Sequence, residues 1–159
     1  METAIDPICC PKFDPIPWDN VNFEWKDKLF VKGSVCTFFY MPLNFGGVMR
    51  KMDEKIRAAG ADWSEGICLS DHTSKWNQDL YISVDKEVTG LESKTLTGNF
   101  FSKVYEGSFQ NSGKWFADFK QIMEGKGISQ PGIYAWYTTC PKCAKKYGKN
   151  YVVMVAQVG

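Results

Sequence analysis

An excess of charge of one sign is nearly absent from this chain: 19 basic residues face 18 acidic ones, a formal net charge of +1 in 159 residues. Phosphate backbones are held by concentrated basic surface, so this balance excludes a dedicated nucleic-acid binder. The one local cluster, Lys142, Lys145, Lys146 and Lys149, is expected to be a solvated loop, or else a place where an anionic ligand substituent is met. Apolar runs of membrane-spanning length are missing, and so is the basic-then-apolar plan of a signal peptide, which points to a cytoplasmic protein without membrane partners. Low-complexity segments and long polar linkers are missing too, so no second domain is expected. There is a single histidine, His72, and any histidine-based nucleophilic chemistry rests on it alone.

What the chain does have is internal similarity. Phe45, Val48, Met49, Met52 and Ile56 fall on one helical face that Gly60 terminates; Trp115, Phe116, Phe119, Ile122 and Met123 make the same stripe before Gly127, offset by 67 positions. Strand-like segments flank both helices in the same order. Val35 to Met41, Gly66 to Ser70 and Asp79 to Val84 belong to the first copy, and Asn99 to Tyr105, Ile133 to Thr138 and Asn150 to Val158 to the second. Each copy reads β-α-β-β. One copy alone has too little core to be stable, whereas two related by a pseudo-twofold can share a sheet and leave a groove between them suited to a small molecule. The predicted fold class is therefore α+β, two tandem β-α-β-β repeats with one helix per repeat.

Composition supports one domain with a sizeable core: 44% of residues are hydrophobic and 15% aromatic. Residues 1–33 stand outside the duplication. Pro7, Pro11, Pro15 and Pro17 forbid regular helix there and suggest an extended strap, with Phe23 to Val31 as a small hairpin. Trp18, Phe23, Trp25 and Phe30 would anchor this strap by packing or cover one end of the groove. The domain proper then runs over residues 34–159.

Alternation along Ile133 to Tyr137 puts Tyr134 and Trp136 on one face and Ile133, Ala135 and Tyr137 on the other. Because the second helix already supplies bulky rings, Ile133 and Ala135 are expected against it, leaving Tyr134 and Trp136 for the groove. Phe38, Tyr40, Trp76 and Tyr81 would complete an aromatic box for a flat apolar or cationic compound. His72 is placed in the connection between two strands, with Cys36 and Cys68 on nearby strands, and stands as a secondary ligand-binding candidate. Cys140-Pro141-Lys142-Cys143 is a C-x-x-C knuckle; with Cys9 and Cys10 from the strap it offers four thiolates to a zinc ion, a redox dithiol, or free thiols in a reducing compartment.

The second copy resembles the GyrI-like, effector-binding family, a duplicated SHS2-type fold. The resemblance is carried by the strand ending in Tyr105, Glu106, Gly107, Ser108 and Phe109, the helix with Trp115 and Phe119, the Gly127 stop, and the two strands that follow. It spans roughly Val35 to the C-terminus. It implies a groove that takes up apolar, often cationic, compounds, and a standalone branch that hydrolyses the strained cyclopropane of DNA-alkylating natural products. The family often has a Glu at the start of the last strand, where this chain has Asn150 or Lys149, an amide or an ammonium in place of an acid. Asp79, the matching position of the first copy, or Glu106 before the turn glycine would then activate water, with Tyr137 among the hydroxyls offered to the leaving oxygen.

Overall fold

A computed structural model of the chain describes residues 14–39, 41–129, 132–138 and 150–158. Its elements are β1 (Val21–Phe38), β2 (Met41–Pro42), α1 (Phe45–Ala58), β3 (Trp63–Ser74), β4 (Asn77–Val84), β5 (Glu92–Glu106), α2 (Ser112–Gly125), β6 (Ile133–Tyr137) and β7 (Tyr151–Gln157). Six strands run β1-β4-β3-β6-β7-β5, all antiparallel, and β1 also pairs with β5. The sheet thereby closes into a barrel, leaving among the described residues only the short β2 as an appended edge. Closure comes from β1, which is long enough to pair β4 through Phe30 to Cys36 and β5 through Val21 to Lys32.

That length corrects two expectations. The first strand begins at Val21 and not at Val35, so the expected division at residue 33 runs through the middle of β1. Phe23 to Val31 is no hairpin: the chain continues past Lys26-Asp27-Lys28 in a bulge between Trp25 and Lys28. Asp27 takes a φ of 50°, a conformation Asp tolerates better than most residues, and its amide is held 2.9 Å from Thr97 Oγ1 on β5. The bulge keeps Phe23, Trp25 and Phe30 together on the barrel interior. Upstream of it, Ile16–Trp18 form a single 3-10 turn between Pro15 and β1, and the Trp18 carbonyl accepts a 2.7 Å bond from Ser102 Oγ.

Both helices keep the offset of 67 positions, and each ends in the same way. Gly60 at φ 73° and Gly127 at φ 86° carry the chain out of the helix. The amides of Ala61 and Ile128 reach back to Ile56 O and Met123 O, each at 3.0 Å, which caps carbonyls that would otherwise be orphaned. Helix α1 packs Met52 and Ile56 on the outer faces of β1 and β4, among Val31, Val35, Leu80 and Ile82. It sits close because Gly33 on β1 has no side chain: a Cβ there would lie 2.4 Å from Met52 Sδ. Helix α2 packs Trp115, Phe119 and Met123 on Phe101, Ala135, Val152 and Met154, and Lys103 and Tyr105 of β5 tie it down through Asp118 at 3.1 and 2.5 Å.

Candidate functional site

The barrel interior is a packed core with two different ends. Its middle is apolar: Phe30, Phe100, Ile67, Leu69 and Val153 are fully buried. Trp18 closes one end, edge-on to Trp136 at 5.1 Å and to Phe23 at 5.4 Å. Of the four N-terminal aromatics, Trp25 and Phe30 belong to the core, and Phe23 and Trp18 pack against it.

Toward the other end the inward positions turn polar. Leu69 gives way to Asp71 on β3, Phe30 to Lys32 and Ser34 on β1, Tyr81 to Asp79 on β4, and Leu96 to Lys94 on β5. Asp71 and Asp79 are direct cross-strand partners. Asp79 Oδ1 accepts from Ser34 Oγ at 3.1 Å and from Asn77 Nδ2 at 3.0 Å, and Lys32 Nζ is 3.8 Å from its other oxygen. Lys32 is equally 3.8 Å from the exposed Glu92 on the rim. Lys94 Nζ donates to the Tyr134 hydroxyl at 3.3 Å and stands 4.9 Å from the centre of the Tyr81 ring and 5.8 Å from that of Tyr134. The two rings meet edge to face, 5.9 Å apart.

Charge on these groups is shaped by burial and by each other. Desolvation and the neighbouring Asp79 push the Asp71 carboxyl above the usual carboxylate range, against the opposing pull of Lys94 and Lys32. Burial alone would lower the Lys94 ammonium, but the Tyr134 hydroxyl, the Tyr134 and Tyr81 phenols and Asp71 outweigh it and hold the group above its ordinary value. Desolvation also raises the Tyr81 phenol. Lys94 is thus a fixed cation and Asp71 an acid shifted toward neutrality, side by side. A shifted carboxyl, a hydrogen-bonding phenol and an ammonium at the end of an apolar barrel are a general acid-base set.

Of the residues singled out by sequence, Asp79, Tyr81 and Tyr134 meet here, with Trp136 one layer deeper. The others lie elsewhere. Tyr137 is on the outer face with Ile133 and Ala135, as alternation requires, and so cannot act beside Tyr134 and Trp136. Phe38 and Trp76 are exposed at 55% each and cluster with Phe39 outside the barrel, beside the β3-β4 turn, so they form no box with Tyr81. Glu106 is exposed at the opposite end of β5 from Lys94. Asn150 is engaged with the backbone of the same corner: its amide donates to Gly107 O at 2.8 Å, and Gly107 N donates to Asn150 O at 3.1 Å. Pair for pair, the β5-β7 ladder sets Val153, not Asn150, at the place Asp79 holds in the β1-β4 ladder. Tyr40, Cys9, Cys10, Cys140 and Cys143 lie outside the described residues, and among the described residues no group of three or more His, Cys, Asp and Glu side chains is arranged to hold a metal.

His72 is within β3, not in a connection. It faces outward to the seam where Ser70 pairs with Ala135, its Nε2 2.9 Å from the Tyr137 hydroxyl and its ring 5.6 Å from Phe116 of α2. Burial lowers the imidazole, raises the Tyr137 phenol to about 12 and raises the Cys68 thiol to about 12. A depressed histidine costs stability when the unfolded chain takes up a proton that the folded chain refuses. Stability is therefore expected to be complete above the ordinary histidine range, near 6.5, and to fall as pH drops below it. Thermal melts of wild type and His72→Gln from neutral to mildly acidic pH check this: the variant's curve should lose that slope.

Asp71, Lys94 and Lys32 line this candidate site and were not singled out as site residues from the sequence. Asp71 was not legible: with Ser74 opposite Asn77 a regular hairpin would set Asp71 against Leu80, and the register shift between Asp71 and Ser74 is what brings it opposite Asp79, two like charges face to face at a cost in stability.

Among solved structures, the C-terminal domain of EcmrR is similar, with a TM-score of 0.67 at 8% identity over 88% of this chain and 96% of that one. At that identity the likeness is one of fold. A comparison with curated proteins returned no match. In the described residues no helix is long and apolar enough to cross a membrane. The model of one family, described as bacterial hydrolase, matches residues 2–158, and with nearly the whole sequence covered the chain belongs to the bacterial hydrolase family.

Proposed function

We propose that this protein takes up an apolar aromatic small molecule at the polar end of its barrel and hydrolyses it at an electrophilic or strained carbon. The observation that carries the reading is the convergence of Asp71, Asp79, Lys94 and Tyr134 around the Tyr81 ring. Membership of a family described as bacterial hydrolase and the GyrI-like fold both favour it. The two β-α-β-β halves, with equal helices and matching Gly stops, support reading the chain as a duplicated unit of that kind. Flat apolar ligands gain from stacking on Tyr81 and Tyr134.

In the proposed reaction Asp71 accepts a proton from water as the water oxygen bonds to the electrophilic carbon. The bond from that carbon to the leaving group breaks, its electron pair passes to the leaving oxygen, and the Tyr134-Lys94 pair supplies the proton. Asp79, held by Ser34, Asn77 and Lys32, stands opposite Asp71 and favours proton uptake there. Water attack of this kind needs positioning and one acid-base group, and the site supplies both.

A panel of flat aromatic electrophiles tests this by thermal shift and by product analysis. Stabilisation by panel members with product formed by wild type and lost in Asp71→Asn is the expected result. Product lost in Glu106→Gln and kept in Asp71→Asn would move the chemistry to the far end of β5, and no response to any compound would remove the reading. The zinc or thiol alternative on Cys9, Cys10, Cys140 and Cys143 requires stoichiometric metal or a reversible disulfide, read by elemental analysis and thiol titration.

A further inference from the structure

A cation near the face of one phenol ring and bonded to the hydroxyl of a second, set at right angles to the first, holds the place that the charged head of a cationic ligand would take. Here the cation belongs to the chain itself: Lys94 Nζ is 4.9 Å from the Tyr81 ring centre, 5.8 Å from that of Tyr134, and bonded to the Tyr134 hydroxyl at 3.3 Å. We infer that Lys94 is the internal occupant of this place and sets the specificity of the site, turning it away from ammonium-bearing aromatics and toward neutral or anionic aromatic carbonyl compounds. The inference rests on the proposed uptake of aromatic molecules at this end of the barrel, and it replaces the cationic ligands that the family resemblance implies with another class.

Charge balance in the site leads the same way. Two aspartates, Asp71 and Asp79, face two lysines, Lys32 and Lys94, with Glu92 outside on the rim. Asp79 already has Lys32, Ser34 and Asn77 as partners. An incoming ammonium would have to displace a tethered one from the Tyr81 ring and the Tyr134 hydroxyl and gain nothing in exchange. An incoming carbonyl or carboxylate oxygen instead finds the Lys94 ammonium and the Tyr134 hydroxyl, both able to donate. Removing Lys94 reverses this: the open Tyr81 face, the Tyr134 hydroxyl and two carboxylates remain against one lysine, which is a cation site.

Isothermal titration of wild type, Lys94→Met and Lys94→Arg with three probes decides it: benzyltrimethylammonium, 2-naphthoate and 2-naphthamide. Wild type and Lys94→Arg are expected to prefer naphthoate and naphthamide over the ammonium. Lys94→Met should bind the ammonium about tenfold more tightly than wild type does and naphthoate about tenfold more weakly, the scale of one cation–π or charge-assisted contact. Lys94→Gln serves should the Met variant fail to give a native circular dichroism spectrum. Equal ammonium affinity in wild type and the folded variant overturns the role of Lys94. If wild type also fails to bind naphthamide, the proposed uptake of aromatic compounds falls with it, whereas naphthamide bound equally by all variants leaves that uptake standing.

Discussion

Phe100→Ala is expected to destabilise the protein by about 3–5 kcal/mol, the range for emptying a buried phenylalanine site. Phe100 is fully buried at the centre of the barrel, stacked on Phe23 at 5.8 Å and tilted against Trp25 at 4.8 Å. Those rings come from β1 and Phe100 from β5, the two strands whose pairing closes the barrel, so the cavity opens where closure is held. Collapse around it is hindered because the surrounding side chains are rings on hydrogen-bonded strands. A single domain is commonly stable by about 5–15 kcal/mol, so the loss removes a large part of the total. Urea denaturation followed by tryptophan fluorescence measures it: the midpoint should drop steeply with little change in slope. A midpoint near that of wild type would mean that the interior is not the packed core described here. The consequence for function is direct. A filled interior gives a ligand no path through the barrel, which fits the uptake proposed at the Lys94 end, and the apolar layer beneath packs against Tyr81 and Tyr134.

The helices were legible because a helix writes its buried face into the sequence at short range. Met52 and Ile56, or Trp115, Phe119 and Met123, need only a period and a glycine stop to be found, and the structure returns both with their stops at Gly60 and Gly127. The face of β6 was legible for a similar reason, once the rings of α2 were counted against Ala135. Barrel closure was not. The pairing of β1 with β5 joins segments far apart in the chain, and Lys26-Asp27-Lys28 has the polar composition of a turn while acting as a bulge within one strand. The site was hidden by the same non-locality. Asp71, Lys94 and Lys32 each sit in a strand where a charged residue ordinarily faces water, and only a closed sheet makes their side of the strand an interior. Phe38 and Trp76 show the converse: aromatic residues on the strands or turn beside Tyr81, expected at the site from composition, stand on the outside because they lie past the end of the β1-β4 ladder.

Asp71→Asn is the variant in which function and stability should separate. As the general base proposed here, Asp71 is not readily replaced by its neighbour, since the Asp79 oxygens are engaged with Ser34, Asn77 and Lys32. Hydrolysis of any substrate found is therefore expected to fall by about 10²–10⁴-fold, the usual contribution of such a group. Stability should move the other way. The folded chain holds the Asp71 carboxyl above its ordinary range, through desolvation first and the facing Asp79 second. A raised carboxyl favours the folded state only while it is protonated. That advantage is complete below the ordinary aspartate range, near 3.8, and is gone once pH has risen through the folded value, so at neutral pH wild type carries the cost of a disfavoured charge. Asparagine keeps the shape without the charge. The variant should melt higher than wild type at neutral pH, and the difference should shrink as both are acidified. Melts across that pH range, paired with turnover at neutral pH, test both halves. A variant that melts lower at neutral pH, or one that keeps full turnover, would return Asp71 to an ordinary surface carboxylate and leave the barrel end without its base. A gain in melting temperature coupled to loss of turnover is hard to obtain from structural damage, because damage lowers both. It is the pattern of a site that gives up stability to hold a carboxyl where water can be activated.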